Sequence, residues 1–449
     1  MGLDGFLASL GGKSVLMAGL GVSNLPVLRL LRKRGVDAAV WDGKAEAALD
    51  ESLRREMADL DVPVFLGGTL PGKTFDLAFR SPGLCPDAPV LAEQVRNGCV
   101  LTSEMEIFLK ICPCEVIAVT GSDGKTTTST LIAEMLKEAG LTVWLGGNIG
   151  EPLMHRAGEM RPADLAVVEL SSFQLMTMDI RPRVAVVTNV APNHLDWHRD
   201  MDEYVAAKRR IFAGQGSSDT LVLNADCATA SGFAASARAE TRLFSRRRDA
   251  DACVRDGWLQ LFGEPVMPER ELLLPGGHNV ENCLAAMLAA SPYAASGALR
   301  AATAKFRGVA HRIELVRELR GVRYYNDSIA SSPTRAIAGL RSFSEPVILI
   351  AGGSDKNIPF DAFAEEVCRR VKRLFLTGDT AEKIRACVEA QPTRPPVTVT
   401  DSLAEAVMRV AGEAADGDVV LLSPACASFD RYRNFAERGD AFRALVDAL

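Results

Sequence analysis

The segment from Glu115 to Lys137 constrains the fold more than any other part of the chain. Glu115-Val-Ile-Ala-Val-Thr120 is a short apolar run, which predicts a buried strand. Gly121-Ser-Asp-Gly124 predicts a loop, and the stretch from Lys125 through Leu136-Lys137 predicts a helix that stops at Gly140. Strand, glycine-rich loop and helix in that order aim backbone N–H groups and a helix dipole at one point, where an anion is favoured. Lys125 is placed to reach the β- and γ-phosphates of a nucleoside triphosphate, and the Thr126 hydroxyl to hold Mg²⁺. The general phosphate-loop pattern has a further glycine five positions before Gly124, where this chain has Val119, so only its second half is met. A solvent turn that happens to contain Gly-Lys-Thr is the competing reading, and the strand and helix around it argue against that.

With 449 residues the chain exceeds one ordinary domain, and three units of about 150 residues fit best. Hydrophobic residues make up 48% and charged residues 24%, enough for each unit to bury a core. Net charge is −6 with basic residues dispersed, which argues against nucleic acid as a partner. The one basic run, Arg246-Arg247-Arg248, is followed by Asp249 and Asp251 and reads as a solvated loop. No signal-peptide pattern or long apolar stretch is present, so the expectation is a soluble cytoplasmic monomer with no membrane partner. Of ten cysteines only Cys112-Pro-Cys114 form a close pair, and no Cys-x-x-Cys occurs. They read as buried small apolar residues rather than disulfides or metal ligands.

Strand-like and helix-like runs alternate throughout, so the fold class is α/β with parallel or mixed sheets in three domains. The expected domains are 1–103, 104–309 and 310–449. The first opens with a βαβ unit: strand Ser14–Gly19, turn Gly19-Leu-Gly21, helix Leu25–Lys33 before Gly35, and strand Ala38–Asp42. Asp76-Leu-Ala-Phe-Arg-Ser-Pro-Gly83 reads as a further strand ending in a tight turn. The middle segment adds strands at Leu165–Glu169, Val184–Thr188 and Thr220–Asn224. The third has strands at Pro346–Ala351, Arg373–Thr377 and Asp418–Ser423, with Gln391–Pro396 as a loop. Ligands of parallel sheets bind outside the carboxyl ends of the strands, so the polar strand tips are candidates for shared sites.

Several polar positions carry two readings. Glu169 at a strand tip suits a metal ligand or the neighbour of a helix cap. His194 lies in a polar loop past another strand, where a functional residue or a structural histidine fits. Lys208, in Tyr204-Val-Ala-Ala-Lys-Arg-Arg210, reads first as part of a solvated basic helix face. Asn279 and Asn282 share one face of a helix start; amides so placed suit adenine or simple capping.

Taken together, ordered motifs resemble the Mur ligase family, ATP-dependent amide-forming enzymes of bacterial peptidoglycan synthesis. They are Thr120-Gly-Ser-Asp-Gly-Lys-Thr-Thr127, Glu169-Leu-Ser-Ser-Phe-Gln-Leu175, Asn193-His-Leu-Asp196, Ala207-Lys208, His278-Asn-Val-Glu-Asn282, His311-Arg312 and Asn326-Asp-Ser328. The tail Leu422–Asp430 with Asn434–Gly439 resembles the glutamate-adding branch. The resemblance implies an N-terminal Rossmann-like domain for the uridine diphosphate, a central P-loop ATPase-like domain, and a C-terminal Rossmann-like domain for glutamate. It implies UDP-N-acetylmuramoyl-L-alanine and glutamate as substrates, with ATP and two Mg²⁺ ions as cofactors.

The resemblance also distributes the residues. ATP would meet Thr120, Gly121, Ser122, Asp123, Gly124, Lys125, Thr126 and Thr127, with Asn279 and Asn282 at the adenine and Arg312 and Asp327 elsewhere on the nucleotide. Thr126, Glu169, His194 and Lys208 would surround the metal, with Lys208 carbamylated by CO₂ and neighbouring Arg209 and Arg210 favouring its neutral amine. Lys125, Glu169, His194 and Lys208 would form the catalytic set. Ser23, Asp42 and Ser81 would hold the uridine diphosphate, Asn148 the muramoyl group, and Ser331, Lys356, Ser428 and Phe435 the glutamate. One position departs from the branch: Ile329 stands where a lysine follows Asn-Asp-Ser. L-glutamate or another acidic amino acid therefore stays open as acceptor. A remoter reading is a nicotinamide-dependent dehydrogenase, from Gly19-Leu-Gly21 and Asp42; its third glycine is replaced by Asn24, and it leaves the phosphate loop without a role.

Overall fold

The computed structural model describes residues 2–21, 23–45, 51–68, 70, 72–193, 197–355 and 358–449, with 51 and 52 by backbone alone. It is a mixed α/β structure with three sheets, and it divides into two compact units. One unit comprises Met1–Arg270 and Val280–Thr303, the other Glu271–Asn279 and Ala304–Leu449.

The first unit holds two sheets. Strands β1 (Ser14–Ala18), β2 (Asp37–Asp42), β3 (Val64–Leu66), β4 (Leu77–Arg80) and β5 (Val100–Thr102) are parallel, in the order β3-β2-β1-β4-β5. The order reverses between β1 and β4, which opens a crevice at their carboxyl ends. The second sheet contains β6 (Glu115–Thr120), β7 (Val143–Gly147), β8 (Leu165–Glu169), β9 (Val184–Val187), β10 (Thr220–Asn224), β11 (Glu240–Ser245), β12 (Ala252–Arg255), β13 (Trp258–Leu261) and β14 (Glu264–Pro268). Its order is β14-β13-β12-β11-β10-β9-β6-β8-β7; β12, β13 and β14 pair antiparallel and the rest parallel. Strand β6 is fully buried after Glu115, as a run of β-branched and small residues flanked by β8 and β9 requires.

One apolar cluster joins Val15 and Met17 of β1 to Ala118 of β6 and Val168 of β8, so the two sheets of this unit share a core. The helix Glu104–Ile111 lies in that cluster and begins where Ser103 accepts the Glu106 N–H at 3.1 Å.

The second unit holds β15 (Glu314–Leu319), β16 (Val322–Asn326), β17 (Val347–Ala351), β18 (Val371–Leu376), β19 (Val397–Val399) and β20 (Val419–Leu422), in the order β15-β16-β20-β17-β18-β19. Only β15 and β16 pair antiparallel. Separate apolar clusters fill its two faces. Strand β17 starts one residue later than its sequence predicts, because Pro346 has no N–H for the ladder.

Candidate active site

The loop after β6 is held by its neighbours in the first unit. Gly121 has φ +154° and Gly124 has φ +78°; a side chain on the first would run into Thr188 and on the second into Asn282. Thr120 donates to the Leu170 carbonyl at 2.8 Å, and Asp123 N–H donates to Asn189 Oδ1 at 2.9 Å. Ser122 Oγ lies 2.9 Å from the Tyr204 hydroxyl and accepts the Ala191 N–H at 2.9 Å. The helix Lys125–Glu138 starts directly at the loop and carries Lys125, Thr126 and Thr127 in its first turn. Asn282, buried, accepts from Thr128 Oγ1 at 3.3 Å.

Lys125 Nζ donates to the carbonyls of Gly121 and Ser122 at 3.0 and 2.9 Å. Lys208 Nζ donates to the same Gly121 carbonyl at 2.7 Å and lies 4.5 Å from the centre of the Tyr204 ring. Lys208 is only 1% exposed, so the solvated-face reading of its helix, Met201–Ala213, is corrected. Burial, then the positive charge of Lys125, brings its pKa down to about 6, against Asp123 and Glu169. Arg209 and Arg210 are not the cause: Arg209 donates to Ser236 and Arg210 to the Met178 carbonyl.

Glu169 ends β8 and is 1% exposed. Its Oε2 accepts from Thr126 Oγ1 and its Oε1 from Asn148 Nδ2, both at 2.8 Å. The following helix, Ser172–Leu175, is capped by Ser171 with Gln174, so Glu169 has no capping duty. Thr126, Asn148 and Glu169 therefore form one connected polar group. His198, which the sequence reading passed over, is buried with Nε2 2.9 Å from Ser172 Oγ and its ring stacked on Phe173. An aromatic cluster, Phe173, Trp197 and Tyr204, surrounds it, and only the fold brings Phe173 there.

At the carboxyl ends of β1, β2 and β4, three expected residues also gather. Asp42 accepts the Leu20 N–H at 2.8 Å and the Lys44 N–H at 2.9 Å, so both oxygens organise backbone. Ser81 packs against Gly19 and Gly21, where side chains would collide with it. Ser23 precedes the helix Asn24–Lys33 and makes no side-chain cap bond. Asn24, in place of a third glycine, donates to the carbonyls of Ala18, Gly19 and Phe79. Arg80 was missed: it is wholly buried and donates to the carbonyls of Pro82, Leu84 and Phe173.

In the second unit Asp327 is buried and accepts from Ser423 Oγ at 2.8 Å. Burial raises its pKa to about 7, opposed by Ser423 and the charge of Arg312. Ser331 N–H donates to Ile329 O at 2.7 Å. Ser428 is buried and its carbonyl accepts the Tyr432 N–H at 2.8 Å. Phe435 opens the helix Phe435–Asp447, stays 38% exposed, and accepts from Ser328 Oγ through its carbonyl at 2.7 Å. Arg438, also missed, is buried and donates to Ser328 Oγ and to the carbonyls of Ser328, Cys426 and Ala427, joining two expected motifs. Asn279 Nδ2 donates to Pro275 O at 2.7 Å across the turn that starts its helix. His194 and Lys356 lie outside the described residues.

Among the described residues no group of three His, Cys, Asp or Glu side chains converges, and no helix is long and apolar enough to cross a membrane. All ten cysteines are free thiols.

A glycine-rich loop at a helix start, a buried carboxylate bonded to Thr126 and two lysines on one carbonyl meet in this unit, an arrangement that suits an ATP-using ligase. Residues 119–290 match the Mur ligase middle domain and residues 311–426 the Mur ligase glutamate ligase domain. The chain belongs to the Mur ligase family. A protein of Acetivibrio thermocellus named UDP-N-acetylmuramoylalanine--D-glutamate ligase is 46% identical over 100% of this chain and 99% of its own length. One of the same name from Clostridium novyi is 45% identical over 97% of each chain. The solved UDP-N-acetylmuramate-alanine ligase of Thermotoga maritima shares the fold, with TM-score 0.60 at 17% identity over 97% of this chain and 99% of that one.

Proposed function

We propose that this chain is an ATP-dependent amide ligase joining D-glutamate to UDP-N-acetylmuramoyl-L-alanine, in cytoplasmic synthesis of the peptidoglycan precursor. The observation that carries the chemistry is the cluster of Thr126, Glu169, Lys125 and Lys208 at the ends of β6 and β8. The substrates come from the name shared by full-length relatives at 46% and 45% identity. Three domains divide the work: 1–103 for the uridine diphosphate, 104–309 for ATP and 310–449 for glutamate.

Lys125 neutralises the terminal phosphates, and the N–H groups in the first turn of the helix Lys125–Glu138 orient them for transfer. The γ-phosphate passes to the alanine carboxylate, giving an acyl phosphate. A carboxylate is a poor electrophile; its acyl phosphate is a good one. The glutamate amine then attacks the carbonyl, loses a proton and expels phosphate. Asp42, Ser81 and Ser23 hold the uridine diphosphate, Asn148 the muramoyl group, and Arg312, Asp327, Asn279 and Asn282 the nucleotide. Ser331, Lys356, Ser428 and Phe435 hold glutamate.

The donors present fit Mg²⁺: a buried carboxylate and a hydroxyl, all oxygen, 2.8 Å apart. Thr126, Glu169, carbamylated Lys208 and His194 would hold two ions, which offset charge as two anions meet. The carbamate has support in the Lys208 amine, whose pKa of about 6 keeps it neutral near pH 7. A neutral amine adds to CO₂ and releases a proton. The product is anionic, so repulsion from Lys125 becomes attraction.

The test is release of ADP and phosphate on mixing purified protein, UDP-N-acetylmuramoyl-L-alanine, D-glutamate and Mg-ATP. No substrate-dependent release sinks the reading. Ile329 favours one second reading, in which L-glutamate or another acidic amino acid is the acceptor. A panel of amino acids in the same assay separates the two.

A further inference from the structure

Cys112-Pro-Cys114 takes no part in the reaction proposed above. Cys112 is the C-cap of the helix Glu104–Ile111, and Cys114 immediately precedes β6. The sulfurs are 3.4 Å apart, and the one residue between them is a proline with a fixed φ. A disulfide has its sulfurs about 2.05 Å apart, so these two are already neighbours and only a short approach separates contact from bond. The thiols differ: Cys112 is half-buried, whereas Cys114 is 8% exposed.

We propose that Cys112 and Cys114 form a reversible dithiol–disulfide site that exchanges with low-molecular-weight disulfides. Cys112 is the attacking thiol and Cys114 the resolving one. The Cys112 thiolate attacks one sulfur of the incoming disulfide, breaks its S–S bond and releases the first small thiolate. The Cys114 thiolate then attacks Cys112 Sγ, forms the internal bond and expels the second. Two protons leave the protein, and its two electrons reduce the incoming disulfide to two thiols. The order suits the environments. The Sγ–Sγ hydrogen bond with Cys114 holds the Cys112 thiol below its ordinary range against the effect of burial, while that bond and burial push Cys114 up.

The experiment treats the reduced full chain with oxidised glutathione and maps every cysteine by intact and peptide mass. Exposed Cys85 is the internal reference for unassisted reaction. Expected is a loss of two hydrogens on the peptide carrying Cys112 and Cys114, with no adduct retained there. Cys114→Ala should retain one glutathione on Cys112, and Cys112→Ala should leave Cys114 unmodified. A wild-type chain that keeps an adduct on Cys112, or that reacts at Cys85 and not at the pair, overturns the proposal. So does adduct formation at Cys114 in Cys112→Ala. The wild-type result decides even where a variant folds poorly.

Discussion

Lys125 and Lys208 both donate to the carbonyl oxygen of Gly121, at 3.0 and 2.7 Å. Two amines on one oxygen repel if both are charged, and the buried one gives way. Its pKa of about 6 lies below the ordinary 10.5. Between those values the unfolded chain binds the extra proton, so the contribution of this site to stability rises with pH. Lys208→Met should therefore outlast the parent in urea by a margin that is wide near pH 6 and closes towards pH 10. Unfolding in CO₂-free buffer checks this, and a margin independent of pH contradicts it.

The same variant site tests the carbamate. Lys208→Ala should lose ligase activity and regain part of it when short carboxylic acids are added. Full activity in the plain variant rejects a carbamate role.

Asn148 holds one oxygen of Glu169 while Thr126 holds the other. Groups that orient a metal ligand commonly contribute about 10- to 100-fold in metal affinity or activity. Asn148→Ala should raise the Mg²⁺ concentration for half-maximal turnover by about that factor. An unchanged Mg²⁺ dependence would show that Asn148 does not orient a metal ligand through Glu169.

Tyr204 bonds Ser122 of the loop and lies beneath Lys208. Tyr204→Phe keeps the ring and deletes the bond, a change of about 1 kcal/mol. The KM for ATP should rise by about 5-fold, following that energy, with kcat little changed. A loss confined to kcat would place the hydroxyl in the chemical step instead.

Much of the frame was legible because local pattern and tertiary environment coincide. Strands β6, β8 and β10 were readable end to end, since each is a continuous apolar run bounded by polar residues. Strand β7 was not; it carries Gly146 and Gly147 and lies at a sheet edge. Lys208 misled for a physical reason. Its neighbours Arg209 and Arg210 do face outward, and only the packing of the helix beneath a loop distant in sequence buries the residue between Ala207 and Arg209. Arg80 and Arg438 escaped similarly, because a buried arginine bonded to carbonyls has no partner that spacing can reveal.

Arg80 has a consequence for substrate length. Its guanidinium grips the turn after β4 and, through Phe173, the segment that follows Glu169. On the proposed assignment these are the two ends of one long substrate, the uridine diphosphate and the carboxylate to be activated. A single side chain thus ties the turn after β4 to the segment after β8. The site would act as a gauge, rejecting by span as well as by contact any nucleotide sugar whose carboxylate stops short.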